Sequence, residues 1–406
     1  MNDTRISLLT GCRDKPYALG LATALAAAGM KVDFVGGNEL DSPELRGNPQ
    51  INFLNLRGDQ SVDVGLVQKM ARVLVYYFRL IVYAAGTKQK IIHILWNNKF
   101  EVFDRTALML FYKLLGKRIT FTAHNVNIGK RDGHDSFLNR LSLKMQYLLS
   151  DHIFVHTGKM KDELLAEFNL PENKISVIPL GINRTVPNTA LTGAEARRRL
   201  GIDAHDKVIL FFGQIAPYKG LEFLVAAFDE LVKSDSSCRL IIVGRPKGPK
   251  SYWNDIRETL ARSDARRCII QKIEFVPDEE TELYFKAADA LVLPYVNIFQ
   301  SGVLFLSYSF GLPVIAADVG SLKEEIFEGK TGLVFEAKSA AALTRAIQKY
   351  FESDLYRELN IRRREIQDFA SDRYSWSKVA AITTAVYSQL LPEEKHYCPH
   401  CTPEKS

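Results

Sequence analysis

Along the chain, short apolar runs rich in β-branched residues alternate with segments in which apolar residues recur every three or four positions. In the first half the strand-like runs are Arg5–Leu9, Lys31–Val35, Ile91–Leu95, Arg118–Thr122, Ile153–His156 and Ile175–Ile178, and the helix-like segments are Gly20–Ala28, Thr106–Leu115 and Met160–Phe168. Runs that are apolar on both faces predict parallel strands covered by helices. From Pro179 to Asp206 the pattern lapses into LGINRTVPNTALTG and a charged helix, Ala194–Leu200, which stops at Gly201. A second series follows, with strands at Val208–Phe212, Arg239–Val243, Cys268–Ile270, Ala290–Pro294, Val314–Ala316 and Gly332–Phe335. Its helices are Leu221–Lys233, Trp253–Ala261, Thr281–Ala288, Gly302–Phe310 and Ala340–Phe351. Two doubly wound α/β halves are expected, at 1–180 and 207–370, joined by a linker at 181–206. A helix within 371–391 is expected to pack back on the first half, and 392–406 reads as a polar tail. No short repeat occurs, which excludes solenoids and propellers.

Length agrees, since 406 residues suit two domains with a core each. The 47% hydrophobic and 25% charged content is that of a soluble globular chain and excludes disordered and fibrous classes. The net charge of +6 suits anionic ligands or an anionic membrane surface, but no Lys/Arg block with interleaved aromatics points to nucleic acid. Five scattered cysteines and a start, MNDTRISLLTG, without a basic region and long apolar run favour a cytoplasmic setting. The most apolar helical segment, Arg72–Ala85, is too short to span a bilayer and holds Arg72 and Arg79. Two readings stay open for it: a buried helix with snorkelling arginines, or a helix lying on a membrane surface.

Chemistry concentrates at strand ends. FFGQIAPYKG (Phe211–Gly220) puts Gly213 at a strand end and Lys219 just before a helix, an arrangement that lets backbone and a point charge meet phosphate oxygens. IIVGRP adds Gly244, and the uncharged stretch NIFQSGVLFLSYSFGLPVI (Asn297–Ile315) opens a helix on Gln300-Ser301-Gly302-Val303, whose free N–H groups suit an anion. In the first half, strand Arg118–Thr122 ends at AHNVNIGKRD, where His124 either caps the strand or faces a ligand, with Asn125, Lys130 and Arg131 behind it. His93 reads as a packed strand residue.

The order of these motifs resembles the family-4 retaining glycosyltransferases of the GT-B fold, over nearly the whole chain and most specifically from Phe211 to Lys338. The resemblance implies two Rossmann-like domains facing across a cleft. It assigns the donor diphosphate to Gly213, Lys219 and Gly220, and keeps Glu324 in the stretch Pro313–Glu324. Gln214 stands where an arginine is usual, and Leu306 and Ile298 stand where two glutamates are usual. Sugar and base recognition therefore falls to other groups, with Gln300 and Ser301 as candidates. His124 is expected by the sugar and acceptor, with Tyr17, Asn125, Lys130 and Arg131 on the acceptor side, and Gly244 and Val303 on the donor side.

The activity implied is hexosyl transfer from a UDP- or GDP-linked sugar to a sugar or lipid-linked acceptor, without metal or cofactor, in polysaccharide or glycolipid synthesis. The protein is expected in the cytoplasm or peripherally on the membrane's cytoplasmic face. Two other readings are a catalytically silent binding protein of the same fold and a non-transferase such as a sugar epimerase. The first loop, GCRDKPYALG, is not G-x-G-x-x-G, which removes the fingerprint of a dinucleotide-dependent oxidoreductase. HYCPHC (His396–Cys401) is metal-like in spacing, but one C-x-x-C in a polar tail reads as an unstructured end.

Overall fold

A computed structural model describes residues 4–61, 64–127, 129, 135–182 and 186–391. Lys130, Arg131, Cys398 and Cys401 lie outside the described residues. The apolar runs form β1 (Arg5–Leu9), β2 (Lys31–Gly36), β3 (Ile51–Asn55), β4 (Ile91–Ile94), β5 (Arg118–Ala123), β6 (His152–Val155) and β7 (Ile175–Val177), a parallel sheet in the order β3-β2-β1-β4-β5-β6-β7. The second half forms β8 (Lys207–Phe212), β9 (Cys238–Val243), β10 (Ile269–Lys272), β11 (Ala290–Leu293), β12 (Val314–Ala317) and β13 (Gly332–Phe335), in the order β10-β9-β8-β11-β12-β13. Both sheets reverse strand order beside their first strand, and in such sheets ligands gather at the carboxyl ends near that reversal.

The helices that matter to the site are α1 (Lys15–Ala27), α2 (Leu66–Gly86), α3 (Phe137–Leu149), α4 (Gly158–Phe168), α5 (Leu221–Ser234), α6 (Gly302–Ser309), α7 (Leu359–Arg373) and α8 (Trp376–Leu390). Helix α8 belongs to the first half's core: its Val379, Ala380, Val386 and Tyr387 are buried with Ile6, Leu8 and Leu21. The chain thus crosses back at Tyr374–Trp376, where the Trp376 indole donates to the Ile182 carbonyl at 3.0 Å. Gly20 and Gly181 make room for that indole, since a Cβ at either would lie 2.2 Å from its ring.

Helix α2 is not the buried helix that one of the two readings offered. Tyr76, Tyr77, Leu80 and Ala84 face the core, while Leu66, Met70, Leu74, Phe78 and Val82, four residues apart, form an exposed stripe, with Leu74 60% and Phe78 67% accessible. Phe100 and Phe103 pack against Tyr77 and are themselves exposed. Helix α3 adds exposed Phe137, Leu138 and Leu141 to the apolar surface of this half. Helix α2 carries Lys69, Arg72 and Arg79 and no acidic residue. No helix among the described residues is long and apolar enough to cross a membrane.

Candidate active site

In the second half, three strand ends meet at one point. Gly213 follows β8 with φ 121° and Gly244 follows β9 with φ 145°, conformations that glycine adopts without strain. They touch so closely that a Cβ on Gly244 would sit 1.7 Å from the Gly213 carbonyl oxygen. Gly213 in turn faces α6, because a Cβ there would lie 3.6 Å from Val303 Cγ2. Gln214 is half-buried between Gly213 and Ile215, whose N–H bonds the Arg245 carbonyl at 3.0 Å.

Lys219 sits on this edge for a local reason. The turn Pro217–Lys219 closes at Gly220 with φ 64°, where a Cβ would collide with the Pro294 carbonyl oxygen at 2.0 Å, and the Val296 N–H bonds the Tyr218 carbonyl at 2.9 Å. The turn is therefore pinned against the loop after β11. Lys219 is buried, its Nζ 3.8 Å from the centre of the Tyr295 ring, and the Tyr295 hydroxyl is 3.1 Å from Ser301 Oγ. Tyr295, unremarked in the sequence, thus bridges the cation and the helix start.

At that start, Ser301 is the N-cap residue of α6 yet makes no side-chain cap bond, and a Cβ on Gly302 would meet nothing within 4 Å. The first N–H groups of α6 therefore open onto space beside Gly213. Gln300 is half-buried with both side-chain amide atoms enclosed and without a partner among the described residues. The Gln300 loop is anchored by Ser321, whose N–H and hydroxyl both donate to the Phe299 carbonyl, at 3.1 and 2.8 Å. Phe299 itself packs against the first half's core, and Lys159 of α4 donates to the Gly320 carbonyl at 3.2 Å. These contacts join the two halves at the site.

The first half contributes a histidine pair. His124 follows β5 and His156 follows β6, with His124 Nδ1 3.0 Å from His156 Nε2. Trp96, two residues past β4, stacks on His124 with ring centres 4.0 Å apart and planes at 2°, and Tyr17 meets both histidines edge-on. Tyr17, placed on the acceptor side by the resemblance, is buried, with its phenol pushed up by burial. Asn125 follows His124 and is half-buried. Burial holds the His124 imidazole well below its usual range, and the neighbouring His156 and His93 add to the effect. His93 is buried in the sheet, bonded to Thr122 and Tyr387. Neither Trp96 nor His156 stood out in the sequence.

Glu324 is exposed and lines a cavity of about 480 Å³ between the halves, which it shares with Glu325, His156, Thr157 and Arg373. Glu325, buried beside it, is bonded by the Tyr374 hydroxyl. Among the described residues, no group of three or more His, Cys, Asp or Glu side chains is arranged to hold a metal ion.

Residues 16–186 match the family model Glycosyltransferase Family 4, and residues 206–353 match Glycosyl transferases group 1. Both halves match glycosyltransferase families, and the fold is GT-B. D-inositol 3-phosphate glycosyltransferase of Corynebacterium glutamicum is 29% identical over 252 residues, which are 60% of this chain and 59% of that protein. An uncharacterized glycosyltransferase of Methanocaldococcus jannaschii is 26% identical over 65% of this chain and 67% of its own length. The chain thus spans about three fifths of the first curated relatives it matches, 59% and 58% of their lengths for the two Corynebacterium proteins. Sucrose-phosphate synthase of Thermosynechococcus elongatus superposes with a TM-score of 0.73 at 19% identity, covering 95% of this chain and 99% of the other. HepE of Anabaena, solved with UDP and glucose, gives 0.71 at 15% identity over 95% and 100% of the two chains.

Proposed function

We propose that this GT-B protein transfers a sugar from a UDP- or GDP-linked donor to an acceptor hydroxyl, with retention at the anomeric carbon. The observation that carries the reading is the meeting of Gly213, Gly244, buried Lys219 and the open start of α6 at one strand edge. Backbone N–H groups at a helix start and a lysine charge favour a diphosphate, and they favour it most when it leaves with its full negative charge. Lys219 and these amides supply the charge stabilisation that a bound metal supplies elsewhere, so the reaction is proposed to run without one. The enclosed, unpartnered Gln300 amide is available to sugar or ribose hydroxyls in place of the two missing glutamates. That a fold neighbour is solved with UDP and glucose supports the same donor class.

The acceptor is proposed to be a phosphate-bearing, lipid-linked molecule at the cytoplasmic membrane face, in glycolipid or polysaccharide synthesis. The exposed stripe of α2, with the Phe100, Phe103 and Phe137 rings and the cations Lys69, Arg72 and Arg79, supports an interfacial position. A relative named for an inositol phosphate supports an acceptor with phosphate. The reading is tested by incubating the full chain with a panel of UDP- and GDP-sugars and extracted membrane lipid. Labelled sugar should appear in lipid product with the donor's anomeric configuration, and His124→Ala should lower turnover far more than nucleotide affinity. Nucleotide binding without turnover of any donor would leave a silent binding protein, and donor breakdown without acceptor would point to another reaction.

A further inference from the structure

We infer that His156 is a positioning residue that fixes the proton of His124 on Nδ1 and leaves His124 Nε2 as a bare acceptor. The inference starts from the Ile178 carbonyl, 3.3 Å from His156 Nδ1. A carbonyl oxygen only accepts, so His156 Nδ1 carries the hydrogen. A neutral imidazole has one N–H, so His156 Nε2 is a lone pair. The group facing it, His124 Nδ1 at 3.0 Å, must then donate. The proton of His124 is thereby used up on the protein side, and Nε2 faces away with a lone pair.

Three further observations hold this arrangement. Both rings are kept neutral by burial, His156 at about 4 and His124 well below its usual value, so a second N–H does not appear at neutral pH. Trp96 stacked flat on one face of His124 and Tyr17 packed edge-on against it keep the ring from flipping to exchange its nitrogens. His124 Nε2 is enclosed and has no partner among the described residues. An enclosed acceptor without a donor is costly until a ligand supplies one. The group that completes it is an O–H or N–H of the ligand, since a carboxylate or phosphate oxygen would set lone pair against lone pair. What that ligand is rests on the glycosyl-transfer reading; the proton pattern does not.

The test is long-range proton–nitrogen correlation spectroscopy on the full chain with nitrogen-labelled histidine, without ligand, at pH 7.5. The His124 signals are assigned by their loss in His124→Gln. In the wild type His124 should show a protonated Nδ1 and a bare Nε2, the reverse of the tautomer that free histidine prefers. His156→Gln can donate its amide N–H to Ile178 and accept through its carbonyl, and should keep the pattern; His156→Leu should lose it. With a donor sugar identified, His156→Leu should also lower kcat roughly ten-fold while nucleotide affinity holds, and His156→Gln should recover most of it. A wild-type His124 protonated on Nε2, or an unchanged His124 pattern in folded His156→Leu, would overturn the inference. Because the spectra need no substrate, failure of the transferase reading would leave them intact.

Discussion

Gly302→Ala separates what the fold needs from what a ligand needs. In a helix each Cβ leans toward the N-terminus, so a methyl on the first residue of α6 projects into the space in front of the free N–H groups. Apart from its chain neighbours and its own helix's backbone, no described atom lies within 4 Å of that methyl. The folded chain therefore tolerates it, and replacing a helical glycine stabilises by up to about 1 kcal/mol through the unfolded chain and helix propensity. A diphosphate held by the amides of Gly302 and Val303 would lose one or both contacts. A hydrogen bond to a charged group is worth ~1.5–3 kcal/mol, so affinity should fall roughly 10- to 150-fold. The assay is calorimetric titration of UDP and GDP into wild type and variant, beside their melting temperatures. The expected result is opposite signs, with an equal or higher melting temperature and much weaker binding. Undiminished binding of the nucleotide that the wild type prefers would refute the placement of the diphosphate at this helix start.

The buried histidines should make the protein acid-sensitive. Burial holds His93 at about 3 and His152 and His156 at about 4 in the fold, whereas the unfolded chain takes up a proton at each near pH 6.5. Their contribution is complete above about pH 6.5 and is lost as pH falls toward 4, at most ~2 kcal/mol per residue by pH 5. Asp104, pushed up to about 6 by burial, works in the opposite direction and offsets part of it. Urea unfolding should show lower stability at pH 5.0 than at 7.5, and equal stability would contradict the burial of these rings. On the apolar face, Leu74→Glu with Phe78→Glu changes side chains that are largely exposed and should leave the melting temperature within a few degrees. Binding to anionic vesicles at low salt should drop several-fold in that variant; if wild type and variant ignore vesicles alike, the interfacial role of α2 fails.

Much of the architecture was legible because the central strands are apolar on both faces. β1 runs Arg5–Leu9 and β13 runs Gly332–Phe335, as the pattern predicts. The strand that escaped notice, β3, is an edge strand, INFLN, broken by Asn52 and Asn55 and with only Ile51 buried. Helix α7 escaped because little of it faces the core, with Leu359, Ile366 and Ala370 its buried residues. At the site, Gly213 and Lys219 were readable because glycine, turn and lysine lie within seven successive residues. Trp96, His124 and His156 are far apart in the chain and meet only because β4, β5 and β6 are neighbours in the sheet. That adjacency is set by strand order, which no local pattern encodes. Tyr295 escaped for another reason: an aromatic after a core strand reads as packing, and its role appears only when Lys219 folds over its ring.

The donor assignment depends most on Lys219, the one side-chain cation assigned to the diphosphate. It is tested most directly by titrating UDP and GDP into the wild-type chain and into Lys219→Met, which keeps an unbranched apolar stem over Tyr295 and removes the charge. Specific binding of at least one of the two nucleotides by the wild type, weakened roughly ten-fold or more in the folded variant, is the expected result. Equal affinity in the two proteins, or no binding of either nucleotide by the wild type, would contradict the assignment of this strand edge as a nucleoside-diphosphate site.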